Sequence, residues 1–246
     1  MKLLVDLGNS RLKWCTEQDG RLSPVNAIDY KHARDLEALR QSWSELAQPR
    51  DLAISSVAHG ALAQDTIALA LALWPKVTLY QAQSAAYEYG VRNAYAESTK
   101  LGVDRWLALL AAHRHYPGNV CVVDCGTAVT LDAVTADGQH LGGLICPGLN
   151  LMRNALAANT ANLPLKAYTP QAQLANATEP AIANGVLLAA AGMVALAAKQ
   201  LTGNFRLLIT GGDADLLGSA LELPVTIDSD LVLKGLALVC RGSGNR

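Results

Sequence analysis

Apolar positions in this chain fall into two kinds of run. Short runs closed by Asp, Gly or Pro read as buried strands, and longer Ala/Leu runs read as helices. The opening predicts a strand over Lys2–Asp6, a tight turn at Leu7-Gly8-Asn9-Ser10 and a second strand over Arg11–Thr16, with Asp19-Gly20 as the next turn. The pattern then predicts a helix over 33–47 ended by Pro49, a strand over Leu52–Val57 and a helix over Leu62–Trp74 closed by Pro75. A strand over Val77–Gln81 and a helix over Leu107–Tyr116, closed by Pro117-Gly118, complete the first half.

The opening pattern returns after that. Val120–Asp124 reads as a strand, Cys125-Gly126-Thr127-Ala128 as a turn, Val129–Val134 as a strand and Asp137-Gly138 as a further turn. A shift of 118 residues (123 minus 5) lays Val5-Asp6-x-Gly8 on Val123-Asp124-x-Gly126 and Asp19-Gly20 on Asp137-Gly138 without a gap. The period is about half the chain, too long for a solenoid repeat. It predicts two similar α/β domains, 1–117 and 118–246, meeting at a hinge near Pro117–Asn119. The second half continues with a Gly/Pro-rich loop over Gly142–Gly148 and helices over 149–158 and 181–201. A strand over Leu207–Thr210 runs into Gly211-Gly212-Asp213, followed by a short helix over 214–220 and a last one over 230–240.

Composition narrows the class. Hydrophobic residues are 51% of 246 and charged residues 17%, enough for a substantial core. With one Phe, that core must be built from Ala, Leu and Val. A net charge of -1 and the lack of a basic run argue against a nucleic-acid partner. The apolar stretch 185–198 is shorter than the ~20 residues of a membrane span, and Leu3–Val5 is too short for a secretory signal core. The expectation is a cytoplasmic protein without a membrane partner. Five cysteines without a C-x-x-C pair read as buried reduced thiols, and the five histidines lack metal-ligand spacing.

The two hairpin turns carry the first candidate chemistry. A tight turn rich in Gly, Asn, Ser or Thr can aim backbone N–H groups at an anion, and glycine lets that anion approach closely. Asn9, Ser10 and Thr127 add side-chain donors. Asp6 and Asp124 end their strands beside these turns, and a carboxylate tolerates a nearby phosphate when Mg²⁺ lies between them. Each turn alone can be an ordinary hairpin. As a pair they suggest a cleft holding a nucleoside triphosphate, with Gly211-Gly212 offering a flat backbone surface for the nucleoside. Gly102-Val103-Asp104-Arg105 opens a predicted helix. Asp104 reads as an N-terminal cap or as a base for a substrate hydroxyl, and Arg105 suits a substrate carboxylate. Thr178-Glu179-Pro180 reads as a capped helix start whose hydroxyl could also meet a substrate. There is no G-x-S-x-G elbow and no Walker loop.

Taken together, Asp6-Leu-Gly-Asn-Ser-Arg-Leu-Lys13, Gly102-Val-Asp-Arg105, Val123-Asp-Cys-Gly-Thr127, Gly142-Gly-Leu-Ile-Cys-Pro-Gly148 and Thr178-Glu-Pro-Ala-Ile-Ala-Asn-Gly185 resemble the type III pantothenate kinase family, also called the Bvg accessory factor family. The resemblance implies the acetate-and-sugar-kinase/Hsp70/actin fold: an α/β protein of duplicated ribonuclease H-like domains, with mixed sheets flanked by helices. It implies phosphoryl transfer from ATP to pantothenate, the first step of coenzyme A synthesis, with Mg²⁺ and a monovalent cation, K⁺ or NH₄⁺. By that resemblance Asp6, Leu7, Gly8, Asn9, Ser10, Arg11, Leu12 and Lys13 form the first phosphate loop, with Asp6 meeting Mg²⁺ through water. Thr127 belongs to the second loop, and Gly211 and Gly212 border the nucleotide. Asp104 is the expected general base. Tyr95, Gly102, Val103, Asp104 and Arg105 form the pantothenate segment, joined by Thr178 across a homodimer. Asp124 is the expected ligand of the monovalent cation. The alternatives are a kinase of another small hydroxy acid or sugar, and a non-catalytic nucleotide-binding accessory factor.

Overall fold

Side chains alternate faces along a strand, and that period decides what the first hairpin buries. In the computed structural model, which describes residues 1–29, 36–57, 61–159 and 168–242, β1 (Lys2–Leu7) turns Leu3, Val5 and Leu7 into one apolar cluster. Leu4 and Asp6 occupy its other face. β1 pairs antiparallel with β2 (Arg11–Gln18) and parallel with β5 (Asp51–Ser56). β3 (Arg21–Leu22) and β4 (Asn26–Asp29) both add to β2, and β6 (Thr78–Gln81) adds parallel to β5. The helices α1 (Glu37–Ser44) and α2 (Leu62–Leu73) cover the Leu3/Val5/Leu7 face with Leu39, Trp43, Leu69 and Ala70. Each fully buried Leu or Val in this cluster is worth about 1.5–3 kcal/mol. Residues 33–35 of the first predicted helix, with His32 and His59, lie outside the described residues.

Two two-residue strands follow, β7 (Tyr87–Glu88) and β8 (Val91–Arg92), and then α3 (Val103–His115). The second sheet repeats the logic. β9 (Asn119–Cys125) pairs antiparallel with β10 (Ala128–Val134) and parallel with β12 (Phe205–Thr210). β11 (His140–Pro147) extends β10, and β13 (Val225–Ile227) extends β12. The strand orders, β3-β2-β1-β5-β6 and β11-β10-β9-β12-β13, match position for position and direction for direction. The duplicated mixed-sheet α/β fold expected from the sequence is therefore present. α4 (Leu149–Asn159), α5 (Thr178–Gln200) and α6 (Ala214–Ser219) belong to the second half, and α7 (Leu231–Gly242) ends the described chain.

Several details differ from the sequence reading. The ungapped repeat needs a one-residue gap. Leu7 pairs with Leu12, leaving residues 8–11 in the first turn, whereas Cys125 pairs with Val129, leaving 126–128 in the second. Gly142–Pro147, expected as a loop, lies in β11 and pairs residue by residue with β10. Glycine and proline weaken a strand on local grounds, but this one has a single neighbour, where they are tolerated. α3 starts at Val103, four residues before Leu107. α5 starts at Thr178, and its N-cap is Ala177 without a side-chain capping bond, so Thr178 does not cap it.

Two compact units emerge. The first comprises Met1–Glu88, Tyr95–Ala111 and Asp230–Arg246, and the second comprises Tyr89–Ala94 and Ala112–Ser229. Relative to a cut at 117/118, the C-terminal helix goes with the first unit. It packs on β1, β2 and β5, and Gly235 lies so close to α3 that a Cβ there would stand 2.1 Å from the Leu107 carbonyl oxygen. α5 has 23 residues and is long and apolar enough to cross a membrane, yet 44% of its apolar window is buried within the protein. Ala183, Val186, Leu187, Ala190 and Val194 pack with Val123, Leu131, Leu207 and Ile209 as the core of the second unit.

Candidate active site

The first unit holds two groups of the predicted residues. One is the β1–β2 turn. Asp6 is half-buried near the end of β1, and its ladder neighbours are Lys13 on β2 and Ser55 on β5. The Gly8 N–H donates to the Arg11 carbonyl at 3.1 Å, so the glycine's own amide closes the hairpin. Asn9 and Arg11 are exposed and Ser10 is half-buried. Leu7 and Leu12 are fully buried in the core, so only their backbone can serve a ligand.

The other group is the start of α3. The Asp104 carboxylate accepts the Arg105 N–H at 2.8 Å within the first helical turn, where a negative charge suits the helix dipole. Its Oδ1 lies 2.7 Å from where a Cβ of residue 102 would stand, so a side chain at 102 would displace the carboxylate from this position. Arg105 is only 7% exposed, although a cation here opposes the dipole. Its Nη1 donates to the Tyr95 hydroxyl at 3.1 Å, and its guanidinium carbon lies 5.8 Å from the Tyr95 ring centre. Val103 is buried. Tyr95, Gly102, Asp104 and Arg105 are thus brought together.

Sequence reasoning missed the residues that hold this segment. Ser84 Oγ donates to the Leu101 carbonyl at 2.8 Å, and Trp106 Nε1 donates to Glu88 at 3.3 Å. No local pattern links them, because the partners are 17 and 18 residues apart.

In the second unit the β9–β10 turn gathers Asp124, Gly126, Thr127, Gly148, Gly211 and Asp213. The Gly126 N–H donates to the Ala128 carbonyl at 2.9 Å, and the Gly148 N–H to the Thr127 carbonyl at 2.9 Å. Asp213 donates its N–H to the Cys125 carbonyl at 3.1 Å. Gly211 has φ +97, and a Cβ there would stand 2.4 Å from the Cys125 carbonyl oxygen and 2.5 Å from Asp124 Oδ1. Gly212 is exposed beside it, and Thr178 is exposed at the start of α5. The Cys125 thiol is pushed up strongly by burial, then by the nearby charges of Asp124 and Asp213. It therefore stays a neutral thiol.

Gly148 is the sharpest structural requirement here. A Cβ would come within 2.2 Å of the Gly126 carbonyl oxygen and 2.6 Å of that of Thr127. Gly148→Ala must push the turn open. Overpacking of this kind costs about 1–3 kcal/mol, which corresponds to a fall in Tm of about 2–12 °C for a chain of this size. A thermal melt checks it, and an unchanged Tm would show that the turn yields freely.

A model of the type III pantothenate kinase family matches residues 2–200. The chain belongs to the type III pantothenate kinase family. The type III pantothenate kinase of Burkholderia thailandensis is 39% identical, over 98% of each chain. That of Nitrosococcus oceani is 35% identical, over 98% of this chain and 94% of its own. Among solved structures, an activator of 2-hydroxyisocaproyl-CoA dehydratase from Clostridium difficile, solved with bound ADPNP, aligns over 100% of this chain and 97% of its own. Its TM-score is 0.56 at 12% identity, a likeness of fold alone. As a type III pantothenate kinase family member, the chain carries its Gly102–Arg105 segment and both Asp-x-Gly turns inside the matched region.

Proposed function

We propose that this chain transfers the γ-phosphoryl group of ATP to the primary hydroxyl of pantothenate, giving 4'-phosphopantothenate and ADP for coenzyme A synthesis. The observation that carries the substrate assignment is the cluster at the start of α3: a buried Arg105 braced by Tyr95, one residue from the Asp104 carboxylate. A guanidinium fork pairs with a carboxylate in two parallel hydrogen bonds, and pantothenate has one carboxylate. Asp104 takes the hydroxyl proton as that oxygen attacks the γ-phosphorus. The bond from phosphorus to the β-γ bridging oxygen breaks, and ADP leaves.

The donors available for ATP suit magnesium. Among the described residues no cluster of three or more His, Cys, Asp or Glu side chains could cage a metal. Asp6 and Asp124 each lie near the end of a strand that enters a glycine turn. Mg²⁺ bound mainly by phosphates and water needs only one or two such carboxylates. When bound, it neutralises the charge of the triphosphate. Asp6 would hold it through water, Asp124 would face the monovalent cation, residues 9–11 and Thr127 would orient the phosphates, and Gly211-Gly212 would border the nucleoside. A homodimer is supported by apolar side chains left exposed on the second unit: Leu188, Leu196, Leu144 and Ile145 are 40%, 61%, 45% and 63% exposed. Thr178 then meets the substrate across that interface. The enzyme works in the cytoplasm on these two small molecules, without nucleic acid or membrane.

One assay tests the reading: ADP release with ATP and Mg²⁺, with and without K⁺, against pantothenate, glucose, N-acetylglucosamine and acetate. Turnover is expected with pantothenate alone and to rise with K⁺. Turnover only with a sugar would replace the substrate, and equal rates without K⁺ would remove the cation from the site. A monomer mass by sedimentation at micromolar concentration would remove the dimer.

A further inference from the structure

Asp6 has a neighbour that no sequence motif marks. In the parallel ladder between β1 and β5, Asp6 pairs with Ser55. Leu3, Val5, Leu7, Leu52 and Ile54 all face the cluster under α1 and α2, so Asp6 and Ser55 share the opposite face. Adjacent strands lie about 4.8 Å apart, so a rotation about χ1 brings a serine hydroxyl within reach of a carboxylate at the same register. Ser55 is 0% exposed, and its Oγ has no hydrogen-bond partner among the described residues. Trp43 Nε1 and Thr66 Oγ1 share that condition, but they lie on the helices over the apolar cluster.

An unsatisfied buried hydroxyl is a cost to folding, and alanine at such a place is neutral or stabilising. Packing therefore gives no reason for serine at position 55. The second unit supplies an independent parallel. In the ladder between β9 and β12, Asp124 pairs with Thr210, which is 2% exposed. Both halves of the duplicated fold place a buried hydroxyl on the same side of the aspartate that enters the glycine turn.

We propose that Ser55 is a positioning residue for the nucleotide site: its hydroxyl donates to the Asp6 carboxylate when Mg²⁺–ATP loads, fixing the rotamer in which Asp6 accepts hydrogen bonds from magnesium-bound water. The inference rests on the reading of Asp6 given above. It is silent on Tyr95, Asp104 and Arg105, so its effect falls on the nucleotide and not on pantothenate.

The test is Ser55→Ala, with Ser55→Thr and Asp6→Asn alongside. Ser55→Ala is expected to raise the KM for Mg²⁺–ATP about tenfold, the size of a lost hydrogen bond to a charged group, and to leave the KM for pantothenate unchanged. Calorimetric binding of a non-hydrolysable ATP analogue should weaken by the same factor with Mg²⁺ present, and not in its absence. The ligand-free Ser55→Ala protein should melt no lower than wild type, and up to about 2–4 °C higher. Ser55→Thr, which keeps the hydroxyl, should recover the nucleotide KM. A lower Tm together with equal losses for both substrates would mean that Ser55 is structural, and would overturn the proposal. Wild-type nucleotide affinity in Ser55→Ala, with affinity lost in Asp6→Asn, would overturn it while sparing the reading of Asp6. Wild-type affinity in Asp6→Asn would remove that reading and this inference with it.

Discussion

Asp104→Asn is expected to fold as the wild type does and to lose turnover by roughly 10²–10⁴-fold, the range for removal of a general base. The substitution is nearly isosteric. The asparagine carbonyl oxygen can still accept the Arg105 N–H that Asp104 accepts at 2.8 Å, so the first turn of α3 keeps that bond. It can also occupy the space that Gly102 leaves open. What disappears is the charge and the ability to take a proton. The loss should therefore fall on kcat, with the KM values for ATP and pantothenate changing little. Steady-state kinetics beside a thermal melt separate the two effects. A variant that melts normally and turns over at the wild-type rate would strip Asp104 of the role.

Arg105→Gln should produce the complementary pattern: pantothenate KM raised by about 10²-fold or more, with ATP KM unchanged. Two charge-assisted hydrogen bonds at about 1.5 kcal/mol or more each account for that factor. The guanidinium is buried and braced by the Tyr95 hydroxyl at 3.1 Å, so its fork is held in place before the substrate arrives. Arg105→Lys keeps the charge but not the fork, and should recover only part of the loss. The decisive comparison uses the alcohol analogue of pantothenate, which has no carboxylate. Wild type should discriminate strongly against it and Arg105→Gln should not, the coupling expected of two groups in contact. Equal discrimination by both proteins would place the carboxylate elsewhere.

Much of this protein is written locally. The two hairpins, their Asp-x-Gly turns and the Ala-rich helices follow from strand and helix periods and from glycine at the turns. These depend on residues a few positions apart, so a single sequence displays them. The segment Gly102–Arg105 was legible for the same reason, as four consecutive residues at a helix start. β11 was not, because its Gly/Pro-rich residues become a strand only through the ladder with β10. β4 and β13 are short, and each likewise exists through a neighbour already in place.

The sequence alone determined the duplication, the fold class and the residues that carry charge at each turn. The tertiary structure decided three further things. It assigned the C-terminal helix to the first unit, where Gly235 permits close approach to Leu107. It fixed the one-residue difference between the hairpin turns, since register depends on which residues pair across strands. And it set Ser55 beside Asp6 and Gly211 against Asp124, contacts between residues 49 (55 minus 6) and 87 (211 minus 124) positions apart. Periodicity along a chain reports which face a side chain takes. What stands opposite that face is settled only when distant strands pack together.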